Sequence, residues 1–123
     1  MSRRYIAKNP ALPFADALLV DEKTLYISGR IGFNPGTREL PADLETEATN
    51  LMQDLKQLLA AADMTLDDLA TLTIYCPDVS LWEPFNVVYR SFFTGPLPPR
   101  AFIGSGVLLF GARFELQGIA VRS

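Results

Sequence analysis

The stretch Asp43-Leu44-Glu45-Thr46-Glu47-Ala48-Thr49-Asn50-Leu51-Met52-Gln53-Asp54-Leu55-Lys56-Gln57-Leu58-Leu59-Ala60-Ala61-Ala62 carries the strongest periodic signal in the chain. Its apolar residues fall at Leu44, Ala48, Leu51, Met52, Leu55, Leu58, Leu59 and Ala62, the spacing of one helical face. This predicts a helix over residues 43–62, about 30 Å long at 1.5 Å per residue. Asp43 is placed to accept from a free N–H of the first turn, and Glu45 and Glu47 suit the positive end of the helix. Asp63 stands where the chain would take a left-handed stop. A helix with one apolar face needs a second layer to bury it, so the flanking segments determine the fold.

Upstream, Ala17–Val20 and Thr24–Ile31 are rich in strand-forming residues and are separated by Asp21-Glu22-Lys23, which predicts a hairpin. A short extra strand is expected at Arg4–Ala7. Downstream, Ala70–Cys76 alternates Leu72, Ile74 and Cys76 with Thr71, Thr73 and Tyr75, a strand with one apolar face that Pro77 ends. A second helix follows: Ser80 and Glu83 have capping-box spacing, Pro84 sits in the first turn, and Phe85, Val88, Tyr89 and Phe92 repeat with helical period. The stiff run Gly95-Pro96-Leu97-Pro98-Pro99 leads to two last strands, about 101–108 and 114–121, with a turn near Gly111. The expected fold is α+β, one domain over residues 1–123, with a single sheet carrying both helices on one face. The other face also carries apolar and small side chains, Ala101, Ile103 and Val107 on one side of their strand against Phe102, Gly104, Gly106 and Leu108 on the other. Such a face is an association surface and predicts a symmetric oligomer.

Composition narrows the chemistry. With 123 residues, 49% of them apolar, a real core can form without staples. The 11 basic and 14 acidic residues leave a net charge of −3, so no broad positive field exists to hold a phosphate backbone and no nucleic-acid partner is expected. The chain has no histidine, which removes Ser-His-Asp and Cys-His catalysis and the ordinary zinc sites; no metal is expected. The lone Cys76 cannot form an internal disulfide and reads as a core filler in its apolar strand. No run approaches the roughly 20 apolar residues of a membrane helix, and the first residues lack the apolar stretch of a signal peptide. A cytoplasmic location without a membrane partner is therefore expected.

Few polar residues remain as candidates. Arg100, at the end of a Pro-Pro segment and the entry to a strand, is pre-organised to grip a carboxylate with two parallel bonds, although a surface arginine fits the same position. Glu115 points away from the core side of its strand, where it could act as a base or orient water; a solvated strand carboxylate has the same pattern. A hairpin turning near Gly111 would set Glu115 opposite about Val107, so within one chain Arg100 and Glu115 would lie some 17 to 23 Å apart at about 3.3 Å per residue. If both serve one site, they must come from different subunits. Asn86 lies off the apolar stripe of the second helix and could reach a ligand, and Gly29 allows close backbone approach at a binding wall. Trp82, Phe85, Tyr89 and Phe92 read as the stripe that packs the helix on the sheet. Gly104-Ser105-Gly106 lies outside any strand-to-helix turn and is not a dinucleotide fingerprint.

Leu25-Tyr26-Ile27-Ser28-Gly29-Arg30-Ile31, the Asn34-Pro35-Gly36 loop, the long helix, Phe85-Asn86-Val87-Val88-Tyr89 with Phe92-Phe93, Pro99-Arg100-Ala101 and Glu115-Leu116-Gln117-Gly118-Ile119-Ala120-Val121 together resemble the RidA (YjgF-type) reactive intermediate deaminase family. The resemblance covers essentially the whole chain. It implies a chorismate-mutase-like α+β subunit, a homotrimer, and clefts between subunits that hydrolyse enamine and imine products of amino-acid dehydratases to 2-oxo acids and ammonia without a cofactor. It also implies that Arg100 binds the substrate carboxylate, that Glu115 positions the attacking water, and that Gly29 and Asn86 line the cleft. Two positions depart from the family pattern: Phe14 stands where the family usually has a tyrosine, and Phe102 where many members carry a cysteine. Both changes make the expected pocket drier and favour a bulkier or more apolar imino acid than iminopropanoate. A family trimer that binds small carboxylates, or regulates through them, without turnover is the alternative. The ribonuclease role attached to some relatives fits poorly with the acidic pI of about 4.8 and the lack of histidine.

Overall fold

A computed structural model describes residues 1–6 and 9–123. The elements in chain order are β1 (Arg3–Ile6), β2 (Ala17–Val20), β3 (Thr24–Ile31), α1 (Leu44–Ala61), β4 (Leu69–Cys76), α2 (Trp82–Ser91), β5 (Arg100–Gly104) and β6 (Glu115–Val121). The first strand starts one residue before its expected position, and Ala7 lies outside the described residues.

Helix α1 forms where its period places it. Asp43 caps it by accepting the Thr46 N–H at 2.9 Å, and Asp63 leaves it at φ 57°. Arg122 closes the other end by donating to the carbonyls of Ala62 and Asp63, both at 2.8 Å. The β2–β3 hairpin turns through Asp21 (φ 54°) and Glu22 (φ 51°), two left-handed residues whose twist matches that of the strands. Helix α2 starts differently from its capping-box expectation. The Ser80 N–H and hydroxyl both bond to Asp78, which caps a short 3-10 turn over Val79–Leu81, and Leu81 enters the helix without a side-chain cap.

The six strands form one mixed sheet in the order β1-β2-β3-β6-β4-β5. Leu19, Leu25, Ile27, Leu72, Ile74, Cys76, Leu116 and Ala120 point from it into one core shared with Leu51, Met52, Leu55 and Leu59 of α1 and Phe85 and Tyr89 of α2. Both helices therefore cover the same face. Across the other face run Tyr26, Ile103, Tyr75, Gln117 and Ile119, with no helix over them.

The topology corrects the expected C-terminal hairpin. Strand β5 ends at Gly104 and pairs in parallel with β4, while β6 pairs antiparallel with the other edge of β4. The two last strands thus flank β4 and do not touch each other. Residues 105–108 leave the sheet after a last bond from Ser105 N–H to the Cys76 carbonyl, and a 3-10 turn follows at Leu109–Gly111, with Phe110 at φ 62° and Gly111 at φ 69°. Apolar alternation over 101–108 suggested a longer strand, but Val107, 96% exposed, lies on this loop.

Glu47 stands in the first turn of α1 as expected and has a second role as well. It is fully buried and accepts from Arg113 N at 2.7 Å, Arg113 Nη1 at 2.7 Å and Phe114 N at 3.3 Å. This clamp fixes the chain as it re-enters the sheet after the long loop. It needs the start of α1 to lie against β3, and Gly32 provides the room: a Cβ there would stand 2.1 Å from the Glu47 carbonyl oxygen. Gly32→Ala should therefore push α1 off the sheet and cost about 1–3 kcal/mol, seen as a lower urea midpoint with an unchanged slope. An unchanged midpoint would show that α1 can shift freely.

Candidate active site

Arg100 opens β5 opposite Leu72 of β4, and directly opposed residues share a face of the sheet, so its side chain turns toward α2. There Nη2 donates to Asn86 Oδ1. The guanidinium carbon lies 4.5 Å from the ring centre of Tyr89, 5.7 Å from Phe102 and 5.9 Å from Phe85. Nη1 is buried without a hydrogen-bond partner.

Among the described residues the other structural arginines are neutralised differently. Arg4 pairs with Glu22, Arg30 with both Asp16 and Asp54, and Arg113 with Glu47, while Arg122 donates to backbone carbonyls. Burial opposes the charge of Arg30, yet its two carboxylates outweigh it and hold the pKa above the usual arginine value. At Arg100 burial dominates and the pKa falls below the usual value, because no carboxylate is there to offset the lost hydration. A cation kept half-buried without a carboxylate beside it, in a depression that Arg90 also lines, is poised for an anion.

The depression at Arg100 has a volume of about 160 Å³ and is walled by Trp82, Asn86, Tyr89, Leu97 and Pro98. The proline run thus forms one wall and the first two turns of α2 another. Trp82 does not pack the helix on the sheet as its place in the aromatic stripe suggested; it is 48% exposed at this wall. Tyr89 packs in the core as expected but also faces Arg100. The positions of Trp82, Asn86 and Tyr89, four and three residues apart, put them on one helix face. That spacing was the available signal for the wall, and the apolar stripe absorbed it.

Glu115 lies elsewhere. It opens β6 between Ile31 of β3 and Tyr75 of β4, on the face away from the helices. Along β4, Arg100 and Glu115 stand three residue steps and two strand spacings apart, about 14 Å between Cα atoms, and on opposite faces. The roughly 17 to 23 Å expected from a hairpin register is therefore too long, and what keeps the two side chains apart is that they face opposite sides of the sheet. Beside Glu115 the β3–β6 register shifts between Ile27 and Arg30, a bulge that contains Ser28 and Gly29. Gly29 lies beneath the carboxylate: a Cβ there would come within 2.4 Å of Glu115 Oε2. Ser28 ties the bulge to the preceding loop, its N–H bonding to Asp16 O at 3.0 Å and its hydroxyl to Ala15 O at 2.6 Å. A depression of about 260 Å³ opens there, lined by Ala15, Leu18, Tyr26, Ile27 and Ser28, with Phe14 half exposed just ahead of Ala15.

The sequence candidates thus fall into two groups, Arg100, Asn86 and Phe102 on the helix side and Glu115, Gly29 and Phe14 around the bulge. Each depression is smaller than the roughly 300–1,000 Å³ of most small-molecule sites. Among the described residues no cluster of three or more His, Cys, Asp or Glu could hold a metal ion, and no helix is long and apolar enough to cross a membrane. Cys76 is buried in the core and burial raises its thiol pKa, which keeps it protonated and unreactive.

Fold and geometry define an α+β protein with one mixed sheet, two helices on one face and an unpaired cation set to receive a small anion. Residues 6–122 match the family described as Endoribonuclease L-PSP. The chain belongs to this family, the RidA/YjgF group. It is 32% identical over 111 residues, 89% of this chain and 82% of the relative, to the 2-iminobutanoate/2-iminopropanoate deaminase of Mus musculus. Its fold matches the crystal structure of RidA from an Antarctic Psychrobacter with TM-score 0.89 and 26% identity, covering 97% of this chain and 99% of that one. The crystal structure of E. coli TdcF with bound serine matches with TM-score 0.89 and 25% identity, covering 98% and 99%.

The two classes of arginine should separate in stability. Arg113→Met strands the buried Glu47 carboxylate and is expected to cost about 3–5 kcal/mol. Arg100→Met removes a desolvated cation with no counter-charge and should leave stability unchanged or slightly raised. Thermal melts of both variants check this; a large loss at Arg100 would make it a structural residue.

Proposed function

We propose that the protein hydrolyses reactive 2-imino acids to 2-oxo acids and ammonia, in clefts between subunits of a homotrimer. The observation that carries this reading is the half-buried Arg100 guanidinium with only neutral partners. The names of the relatives support it, and serine, the ligand in the TdcF structure, carries the α-carboxylate that such a cation would grip.

In this reading Arg100 of one subunit holds the carboxylate by two parallel bonds. Glu115 of its neighbour accepts a proton from water as the oxygen attacks the C=N carbon. Glu115 returns that proton to the former imine nitrogen to give the carbinolamine, then relays the carbinolamine's hydroxyl proton to the same nitrogen, so that the C–N bond breaks, ammonia leaves and the C=O forms. Nothing is oxidised or reduced, and one water is consumed. Gly29 keeps Glu115 in place because no side chain pushes on the carboxylate from below. Phe102 beside Arg100 and Phe14 beside the bulge would line the joined cleft with apolar surface, which favours imino acids larger than iminopropanoate. The uncovered sheet face, with Tyr26, Ile103 and Ile119, is the surface through which subunits would associate.

An amino-acid oxidase that generates imines from a panel of amino acids, coupled to 2-oxo acid formation, tests the activity; acceleration over the spontaneous rate is expected. Glu115→Gln should lower kcat about 10²–10⁴-fold while 2-oxo acid binding persists. Unchanged turnover in that variant would favour a carboxylate-binding trimer without catalysis. Gly29→Ala displaces only the end of a flexible side chain, so stability should hold while kcat drops at least about tenfold. The shared cleft has its own test: Arg100→Ala and Glu115→Gln, each inactive alone, should regain activity at about a quarter of sites when subunits are mixed and reassembled at random. No recovery in verified mixed trimers would place both groups in one subunit's site and overturn the arrangement.

A further inference from the structure

We propose that Tyr89 is a second anion-binding residue of the Arg100 site, its hydroxyl donating to the same carboxylate that the guanidinium grips. The proposal rests on the deaminase reading for the site itself and adds a residue to it. Among the described residues two buried side-chain polar atoms lack hydrogen-bond partners, Tyr89 Oη and Arg100 Nη1, and both belong to the same depression. Tyr89 is only 4% exposed, and the guanidinium carbon lies 4.5 Å from its ring centre. Buried polar groups left unpaired are costly and rare in native interiors, so two together mark a place completed by something from outside.

The chemistry of the pair decides what that is. A guanidinium only donates, whereas a phenol both donates and accepts. Even if Nη1 turned to donate to Oη, the phenolic proton would still need an acceptor, and neither Asn86 Oδ1, already bonded to Nη2, nor any other described residue accepts from it. Two donors converge, so the missing group is an acceptor with at least two oxygens. A carboxylate fits this requirement and also supplies the negative charge that Arg100 lacks. Burial holds the Tyr89 pKa above its ordinary value, with Arg100 pulling the other way, so the hydroxyl keeps its proton.

Tyr89→Phe removes one oxygen and keeps the ring that packs on Phe85 at 5.8 Å, so the core should stay intact. The test measures binding of 2-oxobutanoate by calorimetry and kcat and KM in the coupled assay, for wild type, Tyr89→Phe and Arg100→Met. The expected result for Tyr89→Phe is a dissociation constant and KM raised about 5- to 30-fold, kcat changed less than threefold, and a melting temperature equal to wild type or higher. A folded Tyr89→Phe that binds as tightly as wild type, while Arg100→Met loses binding, overturns the role of Tyr89 and leaves the deaminase reading standing. If wild type binds no 2-oxo acid, or Arg100→Met binds as well as wild type, the carboxylate reading of the site fails and this proposal fails with it. A fall in melting temperature with tighter or unchanged binding would make the hydroxyl structural and also overturn the proposal.

Discussion

The site depends on the cost of keeping a guanidinium away from water without a carboxylate beside it. Ion pairing is the usual remedy for a desolvated cation, and this chain uses it at Arg30 and Arg113. At Arg100 the neighbours are an amide oxygen and three aromatic rings, which orient the fork and attract the charge without cancelling it. The proline run before β5 limits the backbone's freedom to swing the side chain out into solvent. Affinity for an anion is therefore stored as an unmet electrostatic demand, at some expense to the stability of the empty subunit.

The same sheet that positions Arg100 prevents it from meeting Glu115 within one chain. Both strands are in register with β4, and strand geometry sends residues opposite Leu72 to the helix side and residues opposite Tyr75 to the open side. No rotamer can reverse that. A reaction that needs both groups must bring the open face of one subunit against the Arg100 edge of another, so association and catalysis become one requirement. The proposed assembly would give the uncovered, partly apolar sheet face its partner.

Much of the fold could be derived from local pattern, and the errors share a cause. Helix α1, the β2–β3 hairpin and the inward set of β4 are determined by residues near one another in sequence, so periodicity and turn chemistry suffice for them. Strand order is set by contacts far apart in sequence. Apolar alternation through Val107 matched a long strand, and a Gly near position 111 matched a hairpin turn, yet β4 separates the two strands they were meant to join. The second role of Glu47 is hidden for the same reason, since its first-turn position already explains an acid there while its bond to Arg113 lies 66 residues away. In the site, Arg100, Asn86, Glu115 and Gly29 carry chemical types that draw attention in a sequence. Trp82 and Tyr89 do not, because an aromatic on a helical stripe has a sufficient explanation in packing, and Tyr89 does in fact pack in the core.

Glu47 connects these observations. The loop from Ser105 to Phe114 exposes Val107 and Leu109 and is pinned near its tip by the edge-on contact of Phe110 with Phe33, and Glu115 follows it directly. A carboxylate at the end of a long exposed loop needs its own anchor if it is to be placed to within the ångström or so that matters for attack on a small substrate. The buried Glu47 takes the amides of Arg113 and Phe114 and the Arg113 side chain at once, so the two residues before Glu115 are fixed to α1. The bulge at Ser28-Gly29 fixes the opposite side, where the absence of a Cβ sets the height of the carboxylate above β3. Glu115 is thereby located by a helix below and a strand beside it, while the loop itself stays free to present apolar side chains outward. Precision at the acid and exposure of the loop are then compatible, because the clamp acts at the last two residues and not along the whole segment.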